Sequence, residues 1–169
     1  MRRYVDSDDR GAFELLFQRY YARLYGLFMR SLAHPESSEE LVQRTFLQLH
    51  RARRDYDPER PFRPWLFTIA MNLRREHFRR RARRSETPYE PAVHGEPSVP
   101  ASATTATERL VRRALQRLPD GQREVIVLHW YEQLSFKEIA TIVGASTSAV
   151  KVRAHRGYSR LRDELADHR

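Results

Sequence analysis

The sequence predicts an all-α protein made of two small helical domains joined by a flexible linker. Three observations carry that prediction. Apolar residues recur at helical spacing through residues 13–78 and again through 110–165, most often behind a capping signal. Residues 85–107 interrupt the pattern with Pro88, Pro91, Pro97 and Pro100, no Lys or Arg, and mostly small side chains, which suits an extended or disordered tether. Residues 135–160 then read as a helix-turn-helix. The domains expected are therefore residues 1–84 and 108–169, with 85–107 between them.

In chain order, Asp8 or Asp9 can cap a first helix whose stripe is Phe13, Phe17, Tyr20, Leu24, Leu27 and Phe28. The segment His34-Pro35-Glu36-Ser37 breaks that pattern. Ser37 with Glu40 predicts a capping box before Leu41, Val42, Thr45, Phe46 and Leu49, leaving Glu39, Gln43, Arg44 and Gln48 outward. Two prolines make residues 55–61 a loop; its acids lack the glycine and closing glutamate of a calcium loop, so no metal is expected there. From Phe62 a third helix is predicted to bury Phe62, Trp65, Leu66, Ile69 and Leu73. Its other side carries Arg63, Phe67, Met71, Arg74 and Phe78, flanked by Thr68, Asn72, Arg75 and Arg79. Rings interleaved with arginines suit single-stranded nucleic acid, because unpaired bases stack on rings while guanidiniums hold phosphates. Packing of Phe67 and Phe78 on the first helix is the other reading of the same pattern. The helix closes on Arg79, Arg80, Arg81, Arg83 and Arg84, cations placed at its favourable pole.

Beyond the tether, Leu110, Val111, Ala114, Leu115 and Leu118 predict a helix stopped by Pro119, and Val125, Ile126, Leu128 and Tyr131 another. In the helix-turn-helix, Ser135 and Glu138 form a capping box, Ile139, Ala140 and Val143 point inward, and Gly144 supplies the left-handed residue that ends the helix. Ser146 or Thr147 can cap the next. Val150, Ala154, Gly157, Leu161 and Leu165 share one face of that last helix. Ser148, Lys151, Val152, His155, Arg156 and Ser159 share the opposite one, which is polar, basic and sized for a major groove.

Composition narrows the function. Basic residues outnumber acidic ones by 31 to 22, a net charge of +9, in the range of a phosphate-binding surface. Lys137 and Lys151 are the only lysines, so nearly all of that charge is guanidinium, the group suited to planar, bidentate recognition. The absence of cysteine excludes disulfides, thiolate metal sites and thiol nucleophiles. The seven histidines show no metal-ligand spacing, and no carboxylate cluster suits a two-metal nuclease; neither catalytic residues, nor a metal, nor a cofactor is expected. Apolar runs are far too short for membrane insertion and no apolar signal segment is read, so a cytoplasmic location is expected.

Taken together, the motifs resemble a bacterial extracytoplasmic function (ECF) sigma factor along nearly the whole chain. Glu39-Glu40-Leu41-Val42-Gln43-Arg44-Thr45-Phe46, Phe62-Arg63-Pro64-Trp65-Leu66 and Ile69-Ala70-Met71-Asn72 resemble sigma region 2, a helical bundle; Leu118-Pro119, Gln122-Arg123-Glu124-Val125, Leu134-Ser135 and Glu138-Ile139-Ala140 resemble region 4. The resemblance implies a non-catalytic subunit that binds core RNA polymerase, recognises the −10 and −35 elements of promoter DNA, and helps open the duplex, with an anti-sigma factor as a further partner. Carried over by residue, it implies polymerase docking by Leu41, Val42, Gln43, Thr45 and Phe46. It implies −10 contacts by Asp57, Arg60, Phe62, Arg63, Asn72 and Arg75, and −35 contacts by Ser148, Lys151, Val152, His155 and Arg156. Arg44 stands where the family usually has an acid, and Ala149 where it usually has threonine. A stand-alone helix-turn-helix regulator is the alternative; it accounts for the second domain and leaves the first idle.

Overall fold

A computed structural model describes residues 1, 4–5, 9–85 and 105–166, and among them every regular element is helical. The elements are α1 (Arg10–Leu32), α2 (Pro35–Arg51), a single 3-10 turn (Arg53–Asp55), α3 (Phe62–Ser85), α4 (Ala106–Arg117), α5 (Asp120–Trp130), α6 (Phe136–Val143) and α7 (Thr147–Ala166). Most of the tether, residues 86–104, lies outside the described residues. Residues 106 and 107 are already helical, because Thr105 and Glu108 close a capping box through bonds of 3.2 and 2.9 Å.

Local chemistry accounts for most boundaries. Asp9 caps α1, its Oδ1 accepting the Ala12 amide at 3.1 Å. The start of α2 differs from the expected Ser37–Glu40 box. The helix begins at Pro35, whose ring pre-sets a helical φ and has no amide to lose, and His34 caps it by accepting the Ser37 amide on Nδ1 at 3.2 Å. Glu40 instead sits 3.7 Å from Arg44, one turn on. In the first domain Leu16, Tyr20, Leu24, Leu27 and Phe28 of α1 pack with Leu41, Val42, Phe46 and Leu49 of α2 and Leu66 and Ala70 of α3. Thr45, fully buried, returns its hydroxyl to the Leu41 carbonyl at 2.7 Å, so no polar group is stranded there. A ring cluster of Tyr20, Tyr56, Phe62 and Trp65 closes the base of α3.

In the second domain the Ser135–Glu138 box opens α6, Gly144 ends it at φ 65°, and Ser146 caps α7 by accepting the Ala149 amide at 3.1 Å. A Cβ on Gly157 would lie 2.6 Å from Ile126 Cδ1, so this glycine lets α7 close on α5.

The two domains do not stand apart. α3 runs between α2 on one side and α6 on the other, while α1 touches α4 and α5. Phe67, Met71 and Arg74 of α3 are therefore fully buried along with Leu66 and Ala70, and the ring-bearing face is core rather than a surface for bases. Phe67 belongs to the buried core, and Phe78 is half-buried beneath the Arg74 guanidinium at 4.8 Å.

Gly144 has no heavy atom within 4 Å of a built Cβ, so a substitution there tests backbone conformation alone. Gly144→Ala should destabilise the second domain by about 1 kcal/mol, and Gly144→Asn by less, in urea unfolding. Equal stability of Gly144→Ala and the parent protein would refute the left-handed turn.

Candidate nucleic-acid interface

The surface of α7 is set by which of its sides closes the domain. Val150, Ala154 and Gly157 are buried against α5 and α6, which turns Ser148, Lys151, Val152, His155 and Arg156 outward. All five are exposed. Lys151, His155 and Arg156 make no ion pair among the described residues, so three donors are available along about two turns of helix. A capped, rigid helix offering unpaired cations and a short apolar side chain can enter a major groove and meet base edges and the thymine methyl.

The residues expected at a −10 strand are arranged differently. Asp57 and Arg60 are exposed in the loop before α3 and pair with each other at 3.2 Å, while Asp57 also accepts the Glu59 amide at 2.9 Å. Phe62 is half-buried in the ring cluster. Arg63, Asn72 and Arg75 lie on the α3 flank that meets the second domain. Arg63 donates to the Glu132 carbonyl, and Arg75 donates to the Ile142 carbonyl at 2.8 Å and to Asn72 Oδ1 at 3.2 Å, with Glu124 3.6 Å away. Asn72 itself remains exposed.

Of the five residues expected at polymerase, Leu41, Val42, Thr45 and Phe46 are buried in the first domain and only Gln43 reaches solvent. The helical period that made them a stripe also turns them inward. What surrounds Gln43 outside is Glu40, Leu47 at 48% exposure, and Phe17 at 38%, whose ring lies 4.7 Å from Phe46. Leu47 falls outside the inward stripe of α2, and that break in period was the available signal for it.

The contact between domains was not legible at all. Arg74, with no exposed side-chain surface, makes a two-pronged pair with Asp120 at the start of α5, one prong at 3.1 Å. Arg23 lies 3.5 Å from Glu132, the Arg30 guanidinium 3.7 Å from the Tyr131 ring centre, and Gln116 and Arg123 donate to the carbonyls of Arg30 and Ser31 at 2.7 and 2.8 Å.

Similarity to known proteins follows these two halves. The family model for Sigma-70 region 2 matches residues 16–84 and that for Sigma-70, region 4 matches residues 108–161. Over nearly the full length, the chain is 38% identical to the RNA polymerase sigma factor CarQ of Myxococcus xanthus, covering 99% of this chain and 96% of the other. It is 29% identical to the ECF RNA polymerase sigma factor SigW of Bacillus subtilis, covering 96% and 94%. The chain belongs to the ECF sigma factors. Among solved structures, that of CnrH in complex with the cytosolic domain of CnrY superposes with a TM-score of 0.71 at 32% identity, covering 96% of this chain and 93% of that one. As a sigma factor the protein recognises promoters for RNA polymerase, and its two regions are the two helical domains described above.

Electrostatics at the contact between regions 2 and 4 has a definite sign. Burial pushes the carboxyl groups of Glu124 and Glu132 above the usual carboxylate range; Arg74 and Arg75 hold the first back in part, and Arg23, Arg30 and Arg63 the second. A raised value means the packed form prefers the proton. Its contribution to packing is present in full below the ordinary carboxylate value and is lost as pH rises through the raised one. Acidification toward the ordinary carboxylate range should therefore tighten the contact, read as slower hydrogen exchange in α3 and α6, and Glu132→Gln should flatten that trend. His77, whose value burial pushes down, works in the opposite direction inside region 2, so the local readout is the one that decides. Faster exchange on acidification at the contact would overturn the assignment.

Proposed function

We propose a division of labour among three surfaces of this sigma factor. The outward side of α7, with Ser148, Lys151, Val152, His155 and Arg156, reads the −35 duplex. The loop from Asp57 and Arg60 into α3, with Phe62, Arg63, Asn72 and Arg75, holds the non-template strand of the −10 element. The exposed side of α2 docks on core polymerase through Gln43, with Leu47 and Phe17 beside it, while Leu41, Val42, Thr45 and Phe46 hold that side in place from beneath. The observation that carries the reading is the row of exposed, unpaired cations on α7, set on a helix whose other face is closed by its own domain. Residues 1–84 and 108–169 work as two units across the 85–107 tether, the chemistry of RNA synthesis belonging to polymerase.

Its place of action is the cell interior, where polymerase and promoter DNA are; among the described residues no helix is long and apolar enough to cross a membrane. An anti-sigma chain is a further partner, a reading supported by CnrH having been solved with the cytosolic domain of CnrY.

Run-off transcription on a library of genomic fragments tests the reading as a whole: promoter-dependent transcripts should need both this protein and core polymerase. Lys151→Ala should cost about tenfold in −35 discrimination, the loss of one good base contact, and leave strand opening intact on a pre-melted promoter. Asn72→Ala should spare −35 duplex binding and reduce permanganate reactivity of −10 thymines. The same defect from both variants on a pre-melted template would end the proposed division.

For docking, Gln43→Ala and Leu47→Ser should weaken binding to core polymerase while leaving the thermal midpoint within a few degrees, because both side chains are exposed. Undiminished competition for core by the double variant would place docking elsewhere.

A further inference from the structure

We propose that a cavity of about 440 Å³ between α1 of region 2 and α4 of region 4 is a binding site for a small aromatic carboxylate, which both regions touch at once. It shares no residue with the surfaces assigned to promoter DNA or to polymerase. Three observations carry it. First, the volume lies within the range in which proteins bind small molecules, the cavity falls where two domains meet, and most of its wall is apolar. Tyr25 and Met29 contribute from α1, Val111 and Leu115 from α4, and Tyr131 from the end of α5. Second, the wall carries two guanidiniums that no carboxylate answers. Arg30 lies 3.7 Å from the Tyr131 ring centre and Arg112 is half-buried, and neither makes an ion pair among the described residues. Glu132 feels the charge of Arg30 at longer range but pairs with Arg23 at 3.5 Å. Glu108, the acid among the lining residues, turns a carboxylate oxygen to the Thr105 amide at 2.9 Å. Third, Gly26 makes room. It stands inside a 23-residue helix, where glycine weakens the helix relative to alanine, and no positive φ calls for it. A Cβ there would lie 2.7 Å from Arg30 Nη1, so the missing side chain is what gives that guanidinium its place beside the cavity.

These features select the ligand. Tyr25 and Tyr131 suit a flat aromatic body, which packs on rings by its faces and edges, and a guanidinium takes a carboxylate through two parallel N–H···O bonds. Two arginines against one acid that is already engaged favour a single negative charge. Since the wall comes from α1 and α4 together, a bound ligand strengthens the arrangement in which the two helices stand side by side, and parting them releases it.

The probe is naphthoate, with naphthylmethanol as its neutral counterpart and decanoate as an aliphatic one. Each is titrated into the full-length protein in about 0.3 M salt, which screens diffuse attraction to a chain of charge +9. Naphthoate should bind one site with a Kd on the order of 0.1 mM, and the other two about tenfold more weakly. At ten times Kd it should raise the thermal midpoint by about 4 °C and slow hydrogen exchange in α1 and α4 together. Arg112→Gln and Arg30→Gln should each cost about tenfold in naphthoate affinity and leave naphthylmethanol unaffected. Gly26→Met, which fills the space, should abolish binding of both; if it does not fold, Thr107→Phe, at an exposed lining position, takes its place. The site is overturned by no saturable binding up to about 5 mM, or by naphthoate affinity that survives Arg112→Gln and the filling variant. Slower exchange confined to one of the two helices also overturns it, and tighter binding of decanoate than of naphthoate overturns the aromatic assignment.

Discussion

A guanidinium sealed between two helical domains is the constraint on which this arrangement depends. Removing the Arg74 side chain entirely from water costs several kcal/mol unless a partner answers it, and the partner is Asp120 in the first turn of α5. The position has a second consequence. The N-terminal end of a helix carries partial positive charge and would repel Arg74; the Asp120 carboxylate reverses the local sign and allows α5 to point its start at α3. With that end fixed, the α5–α6 turn falls over Arg23 and Arg63, and α6 lies against α3. One buried charge thus sets how region 4 sits on region 2.

Much of the fold was legible because its signals are local. Asp9, Ser135 with Glu138, Gly144 and Ser146 act within four residues of themselves, and each does what its type predicts. The exposed side of α7 was legible for a related reason: only one of its sides is apolar, so the other had to be free. α3 resisted the same treatment. Leu66, Phe67, Ala70 and Met71 are all buried because α3 has neighbours on two sides, α2 and α6, and periodicity cannot say that the second neighbour is a distant part of the same chain. The ring-and-arginine face was seen, and the occupant it has in the free protein, α6, was not. A motif match has a comparable limit at α2. It names a segment that works together, and burial then separates Gln43, which can touch a partner, from Leu41, Val42, Thr45 and Phe46, which position it.

Arginine rather than lysine is what makes the contact between regions possible. Arg123 reaches the Ser31 carbonyl with one nitrogen and the Leu118 carbonyl with another, 2.8 and 3.0 Å away, and burial lowers its pKa without offering it any realistic route to neutrality. Arg75 divides its donors between Ile142 and Asn72 in the same manner. A lysine ammonium has three donors, but all on one nitrogen, so it could not reach two elements with separate nitrogens as the planar fork does.

The caps and the turn of the helix-turn-helix are internal to region 4. Its two caps, its glycine turn and the close approach of Gly157 to Ile126 all lie within residues 120–160, and none uses a side chain of region 2. The outward side of α7 is therefore positioned mainly from within region 4, whereas Arg75, which donates to the Ile142 carbonyl, ties the flank of α3 to α6. A rigid element suits the reading of an intact duplex, whose groove is already formed.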